Sequence, residues 1–449
     1  MTEKVTKEEL LAKAKKPSHD AMIMHPYYKG KIGVMSKCVV RDVSDFAIWY
    51  TPGVAAPCKD IQANPERVYE HTNKGNMVAV VSDGTRVLGL GDIGAEASIP
   101  VMEGKALLFK YLGGVDAFPV CLDTKDPDLM IQTVKLIQPC FGGINLEDIS
   151  MPKCFRILDT LRKECHIPVW HDDQQGTAAV TLAGLINALK IVGKRMEDVR
   201  IAMVGAGASN IRIAHVIMQA GIDPQKIIMC DSKGTLHKGR KELESEFKEK
   251  WEMCLITNGN DVRGSIPDAM KGADVLIALS QPGPDVIKKE WIQLMNKESI
   301  VFVCANPIPE IWPWEAKEAG ARIVATGRSD FPNQVNNSLG FPAIFRGTLD
   351  VRASTITDEM CIEAARALAE FAEKNRGISD DYLLPTMDEW EVFPYEAAAV
   401  GMKAIEQGIA KLKFTRDELL EMARKRIRHS REGIELLMKE GLIPPAPQV

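Results

Sequence analysis

The sequence predicts an α/β protein in two domains, one over residues 1–175 and a second over residues 176–449 that ends in a helical extension. Three observations carry that expectation. In the first part, short apolar runs at 77–81, 116–122 and 167–170 are separated by helix-periodic segments, the pattern of alternating strands and helices. From residue 200 onward the alternation becomes regular, with strand-like runs at 200–204, 227–230, 274–279, 300–304 and 322–326. Beyond them, 358–374 is amphipathic and 415–439 is highly charged, both at helical spacing. At 449 residues the chain is long enough for each part to bury its own core.

Bulk composition narrows the function classes. Hydrophobic residues at 45%, charged residues at 26% and a net charge of -5 are ordinary globular values, and they leave no basic footprint for nucleic acid. The N-terminus is charged and lacks the apolar centre of a signal peptide, and no apolar run approaches the ~20 residues of a membrane span. The expectation is a soluble, cytoplasmic protein with no membrane or nucleic-acid partner. Ten cysteines are scattered with no C-x-x-C pair, which fits reduced thiols rather than a zinc site or redox dithiol.

The first part opens with a charged helical segment, 6–16, and passes a Pro/Gly/Tyr-rich region into Trp49-Tyr-Thr-Pro-Gly-Val54, where Tyr50 precedes a turn. The strand 77–81 runs into Ser82-Asp-Gly-Thr-Arg-Val-Leu-Gly-Leu-Gly-Asp-Ile-Gly94, a glycine-rich loop that holds Arg86. Pro100 suits the first turn of a helix ending at Gly113-Gly114. On that helix Val101, Lys105, Leu108 and Leu112 share one face and Lys110 lies opposite, in solvent. Desolvation among apolar neighbours lowers the pKa of Lys105 toward the range of a general base, unless the stem carries its ammonium to the surface.

Two adjacent acid pairs follow apolar runs. Glu147 and Asp148 come after 141–146, and Ser150 can cap a helix over 151–165. Asp172 and Asp173 stand where the strand 167–170 ends, ahead of a helix over 178–192 with Thr177 as N-cap. Each pair alone reads as turn or capping chemistry. Together they suggest a hard divalent cation held by oxygen ligands, Mg or Mn rather than Zn.

In the second part, the strand 200–204, the turn Gly205-Ala-Gly-Ala-Ser-Asn210 and the helix 211–220 are followed by a strand ending at Asp231. This is the order of a Rossmann-type dinucleotide-binding unit, in which backbone N–H groups approach the pyrophosphate and the acid receives ribose hydroxyls. Gly205, Gly207, Ala208, Ser209, Asn210, Asp231, Ser232 and Lys233 are its candidate contacts. Asn210 stands where the fingerprint expects Gly or Ala for close helix–strand packing, which predicts either a looser turn or altered phosphate contacts. Helices are expected over 286–295 and 309–320. Loops after the later strands carry Asn306, Asn336 and Asn337, candidate donors to a carboxylate or carboxamide. The end, 443–449, is expected to fray.

These motifs resemble the malic enzymes, in their compact prokaryotic form. Tyr50-Thr-Pro-Gly-Val54, Asp83-Gly-Thr-Arg-Val-Leu-Gly-Leu-Gly-Asp92, Glu103-Gly-Lys105, Leu146-Glu-Asp148, His171-Asp-Asp-Gln-Gln-Gly-Thr-Ala-Ala179, Ala305-Asn-Pro307 and Gly327-Arg-Ser-Asp-Phe-Pro-Asn-Gln-Val-Asn-Asn337 fall in family order across about residues 25–410. The resemblance implies oxidative decarboxylation of L-malate to pyruvate. It implies Lys105 as the base for the C2 hydroxyl with Asp172 beside it, and Glu147, Asp148 and Asp173 as ligands of Mg or Mn. Tyr50 then protonates enolpyruvate, Arg86 binds a malate carboxylate with help from Asn306 and Asn337, and Asn336 leans toward the cofactor. NAD and NADP both remain open. Asp231 favours NAD, whereas Ser232, Lys233, Lys238, Arg240 and Lys248 can neutralise a 2'-phosphate. The alternatives are a malolactic-type conversion to lactate, a non-catalytic nucleotide sensor or assembly subunit, and a metal-dependent hydrolase. The family and the long terminal helices imply a homodimer or larger.

Overall fold

A computed structural model of the chain describes residues 7–448. Thr6, where the expected first helix begins, and Val449, the last residue of the expected frayed end, lie outside the described residues. Helix α1 (Lys7–Tyr28) continues past the expected stop, through Pro17 and Pro26. Residues 444–448 carry no regular structure, although the Tyr28 hydroxyl donates to the Pro444 carbonyl at 3.0 Å.

The first sheet has four strands, β1 (Met77–Ser82), β2 (Asp116–Cys121), β3 (Gly143–Leu146) and β4 (Val169–His171), in the order β2-β1-β3-β4. All pairs are parallel, so every strand ends on the same side. Leu146 pairs with His171. That register brings the two acid pairs, which begin at the next residue of each strand, side by side.

Helix α2 (Ala95–Gly113) starts earlier than Pro100, which sits inside it, and ends on Gly114 in the left-handed region. Pro100 is the sixth residue of the helix, so its missing N–H removes one intrahelical bond, to the Glu96 carbonyl, near the helix start. Met102, Lys105, Ala106, Phe109 and Leu112 are buried, whereas Lys110 is half-exposed and bonds Asp116 at 2.7 Å. Helix α3 (Pro127–Ile137) is capped by Asp126, and α4 (Lys153–Glu164) follows β3. Ser150 does not cap α4; its backbone N–H donates to Thr85 Oγ1 at 3.0 Å.

Helix α5 (Thr177–Val192) also departs from expectation, because Thr177 is not its N-cap. Asp172–Gly176 forms a π-helical turn that runs straight into it. Only glycine fits at 176, since a Cβ there would meet Asp172 Oδ1 at 2.0 Å. From Asp172 to Val192 this is one helix of 21 residues, long and apolar enough to cross a membrane, contrary to the composition reading, but it is mostly buried inside the protein.

The second sheet has six strands, β5 (Ile201–Val204), β6 (Ile227–Asp231), β7 (Gly234–Thr235), β8 (Val275–Ala278), β9 (Ile300–Val303) and β10 (Ile323–Thr326), in the order β10-β9-β8-β5-β6-β7. Only β7 is antiparallel. The strand order reverses beside β5, and α6 (Ala208–Gln219) leaves from the end of that strand, which is where a doubly wound sheet binds its ligand. The helices expected over 286–295 and 309–320 shrink to Lys289–Ile292 and Pro313–Glu318, because Pro309 and Pro313 break the second of these runs.

Four later helices complete the fold: α7 (Phe341–Asp350), α8 (Asp358–Asn375), α9 (Val392–Glu406) and α10 (Arg416–Lys439). They do not stay with the second sheet. Phe341 and Phe345 of α7 pack with Phe109, Trp170, Val78 and Val80 in one core. Helix α10 also reaches α2, where Ser430 Oγ donates to the Lys110 carbonyl at 2.8 Å.

Candidate active site

Lys105 is brought by α2 over the ends of β3 and β4, and it is only 8% exposed. Its Nζ stands 2.9 Å from Glu147 Oε1 and 2.5 Å from Asp172 Oδ2, with the Phe341 ring centroid at 4.2 Å. Asp172 is held from three sides. Trp170 Nε1 donates to its Oδ1 at 3.1 Å, and Asn337 Nδ2 donates to its Oδ2 at 2.6 Å, on the oxygen that Lys105 also reaches.

The electrostatics overturn one expectation. Burial does disfavour the Lys105 ammonium, but Asp172 and Glu147 outweigh it, and the pKa rises instead of falling. Helical periodicity finds apolar neighbours along the helix and cannot see carboxylates that arrive from two strand ends. Burial and the surrounding acids push Glu147 well up, and burial with Asp173 close by pushes Asp148 up to about 8.

Glu147, Asp148 and Asp173 each offer one oxygen, all within 4.8 Å of one another. Asp148 Oδ2 is buried and has no hydrogen-bond partner among the described residues. Three carboxylates whose oxygens converge, with an orphaned oxygen among them, form a hard-oxygen donor set that fits Mg or Mn. Asp173 Oδ2 accepts from the Asp148 N–H at 2.9 Å, which locks the two acid pairs together. Arg86 is tied to the same corner through its backbone N–H, which donates to the Asp148 carbonyl at 2.9 Å. Its exposed guanidinium spends one donor on the Leu88 carbonyl at 3.0 Å.

On the second sheet, α6 begins at Ala208 with no side-chain cap, so its first-turn N–H groups remain for a ligand. Asn210 does not loosen the turn. Fully buried, it donates to the Val204 and Gly205 carbonyls at 3.0 and 2.8 Å, replacing close packing with two hydrogen bonds. Asp231 accepts from Arg240 Nη1 and Nη2, both at 3.2 Å, from Lys250 Nζ at 3.3 Å and from the Lys233 N–H at 2.9 Å. Burial alone raises its pKa, but the Arg240 bonds outweigh burial and hold it below the ordinary value. Ser232 and Lys233 are exposed beside it. Lys238 and Lys248 are not among its partners, and Lys250, which the sequence reading passed over, is.

Asn337 reaches the acid cluster, whereas Asn336 is internal to its loop: its Nδ2 donates to the Gly327 carbonyl at 3.0 Å and its Oδ1 accepts from the Ser338 N–H at 2.9 Å. Asn306 precedes a cis peptide bond to Pro307. His171, also passed over, is a fully buried imidazole with neither nitrogen hydrogen-bonded among the described residues, its Nδ1 3.6 Å from Asp173 Oδ2. No spacing rule marks it.

Residues 29–162 match the family described as malic enzyme, N-terminal domain, and residues 174–405 match malic enzyme, NAD binding domain. The chain belongs to the malic enzyme family. It is 50% identical over 406 residues to the bifunctional malic/malolactic enzyme of Bacillus subtilis, spanning 90% of this chain and 97% of that one. It is 49% identical to the NAD-dependent malic enzyme of Geobacillus stearothermophilus, over 85% of this chain and 78% of that one. Among solved structures, Entamoeba histolytica malic enzyme superposes with a TM-score of 0.95 at 52% identity, covering 98% of this chain and 93% of that one. Within this malic enzyme, Tyr50 stands apart. It is 71% exposed, its hydroxyl makes no hydrogen bond among the described residues, and it is not part of the buried cluster around Lys105.

Proposed function

We propose that the protein oxidatively decarboxylates L-malate to pyruvate and carbon dioxide, using NAD or NADP and a divalent cation, Mg or Mn. The observation that carries this reading is the convergence of Lys105, Asp172, Glu147, Asp148 and Asp173 on one buried corner. The Lys105–Asp172 pair, rather than a lone amine, handles the proton of the C2 hydroxyl, since a proton at Nζ has a carboxylate 2.5 Å away. Arg86 takes a malate carboxylate with its remaining donors, Asn306 and Asn337 orient the substrate, and Asn336 shapes the loop on the cofactor side. Glu147, Asp148 and Asp173 hold the cation. When bound, the cation supplies Lewis-acid polarisation of the C2 oxygen and the dinucleotide supplies the hydride acceptor.

Tyr50 delivers the proton to enolpyruvate carbon from a second copy of the chain, in a homodimer. Support comes from the segment around it, which leaves Val34, Met35, Val40, Val43, Ile48 and Trp49 exposed in a single copy. Mixing Tyr50→Phe with Lys105→Ala tests this. Each variant alone is inactive, and a mixed dimer regains one intact site only if the tyrosine acts in trans. Random reassortment then returns about a quarter of parental activity, since half the dimers are mixed and each has one of two sites intact. No recovery on mixing refutes the trans arrangement.

For the reaction itself, the protein is incubated with L-malate, Mn and either dinucleotide while reduced cofactor, pyruvate and lactate are followed. Reduced cofactor and pyruvate in equal amounts support the proposal. The Bacillus subtilis relative is a bifunctional malic/malolactic enzyme, so lactate without net reduced cofactor is the specific alternative outcome.

A further inference from the structure

Glu310 lies outside the acid cluster and has no part in the mechanism above. It is 0% exposed, and among the described residues no lysine or arginine meets it. Its Oε1 accepts from the Ser280 N–H at 2.9 Å and the Ser280 hydroxyl at 3.3 Å, and its Oε2 accepts from the Ala305 N–H at 3.2 Å. Ser280 follows β8 and Ala305 follows β9, neighbouring strands in register at Ala278 and Val303. One carboxylate therefore staples two loops at the ligand-binding edge of the sheet. Burying a carboxylate without a counter-cation is costly, and here burial pushes its pKa up to about 7.

The stapled loops touch both halves of the site. A Cβ on Gly205 would lie 3.2 Å from Ser280 Cα, so the first loop abuts the dinucleotide turn. A Cβ on Gly89 would meet the Asn306 carbonyl at 2.8 Å, Pro282 Cγ at 3.0 Å and Pro307 Cδ at 3.1 Å. The loop that carries Arg86 thus rests on both stapled loops at once. Arg328 adds a further tie, donating to the Pro307 carbonyl.

We propose that Glu310 is a positioning residue: it fixes the spacing of the loops 280–283 and 305–307 and thereby holds Asn306 in register with the loop that carries Arg86. This rests on the reading of Asn306 as a malate contact. The side chain touches neither substrate nor cofactor and acts through Asn306.

Glu310→Gln keeps the size of the side chain but turns an N–H toward the Ala305 N–H, so that bond is lost. In the protein free of cation and dinucleotide, amide hydrogen exchange in 305–308 accelerates severalfold while the strands are unchanged. In the assay, the KM for malate rises about tenfold and kcat changes less, as a misplaced contact predicts. In an Asn306→Ala background, Glu310→Gln adds less than about twofold, because the two residues act as one unit. Ser280→Ala, which removes only the hydroxyl bond, is the second variant if Glu310→Gln does not fold. It shifts the malate KM in the same direction by about two- to threefold, again only when Asn306 is present. Unchanged loop exchange and KM overturn the proposal, and so does an equal fold-effect with and without Asn306. An Asn306→Ala variant with parental malate KM overturns the reading of Asn306 itself, a separate result visible before Glu310 is touched.

Discussion

Replacing Lys105 by methionine removes one ammonium from a pocket otherwise lined by carboxylates, with little change in volume. Its Nζ stands 2.9 Å from Glu147 and 2.5 Å from Asp172, both buried. Stranding buried charges by deleting their partner costs about 3–5 kcal/mol, the expected loss of stability in chelator. With Mn in excess, the cation supplies the missing positive charge and the gap to the parent closes to about 1 kcal/mol. The sign with pH follows from the acids left behind. Carboxyls raised in the folded state bind protons more tightly than in the unfolded chain, so stability falls as pH rises from the ordinary carboxyl range toward the folded values. Asp148 sits at about 8 even with Lys105 present. The gap in chelator is therefore small near about pH 5 and full above about pH 8. Denaturant unfolding of both proteins at the two pH values, with chelator or Mn, measures it, and malate turnover falls by about 10²- to 10⁴-fold. A gap that ignores both Mn and pH refutes the electrostatic account, and retained turnover removes Lys105 from the mechanism.

Asp173→Asn keeps the shape of one proposed ligand but not its charge; Mn affinity should fall at least about tenfold and malate oxidation be lost, whereas full activity of the parent in chelator defeats the cation assignment. Asn210→Ala removes the side-chain donor from the Gly205 carbonyl and one of the two donors from the Val204 carbonyl, which keeps the Leu279 N–H, costing about 1–3 kcal/mol, and should raise the NADH dissociation constant; an unchanged constant by fluorescence titration counts against the brace. Arg240→Ala exposes the Asp231 charge, so kcat/KM should fall about tenfold more for NADP than for NAD, and equal losses refute a role in cofactor choice. Glu310 titrates at about 7 when folded against an ordinary 4.5, so its penalty is absent below about pH 4.5 and grows as pH rises through about 7. Glu310→Gln should therefore gain on the parent by about 3 kcal/mol across that window, and a pH-independent difference contradicts the burial argument.

Local pattern determined a good deal of this protein by itself. The strand and helix alternation, the glycine turn before α6 and the two acid pairs each depend on residues close together in the chain, where periodicity and turn chemistry are decisive. Proline and glycine misled where their local meaning met a stronger neighbour: Pro100 lies within α2, and Gly176 lets the helix begin at Asp172. Tertiary structure alone decided the rest. Parallel register at Leu146 and His171 set the acid pairs side by side, α2 carried Lys105 between them, and the resulting Coulomb field raised a pKa that helical burial alone lowers. Arg240 on Asp231, Asn210 on its own turn and Glu310 between two loops are likewise contacts of direction and distance. Sequence spacing holds no record of them, because each depends on where a side chain points after distant segments have packed.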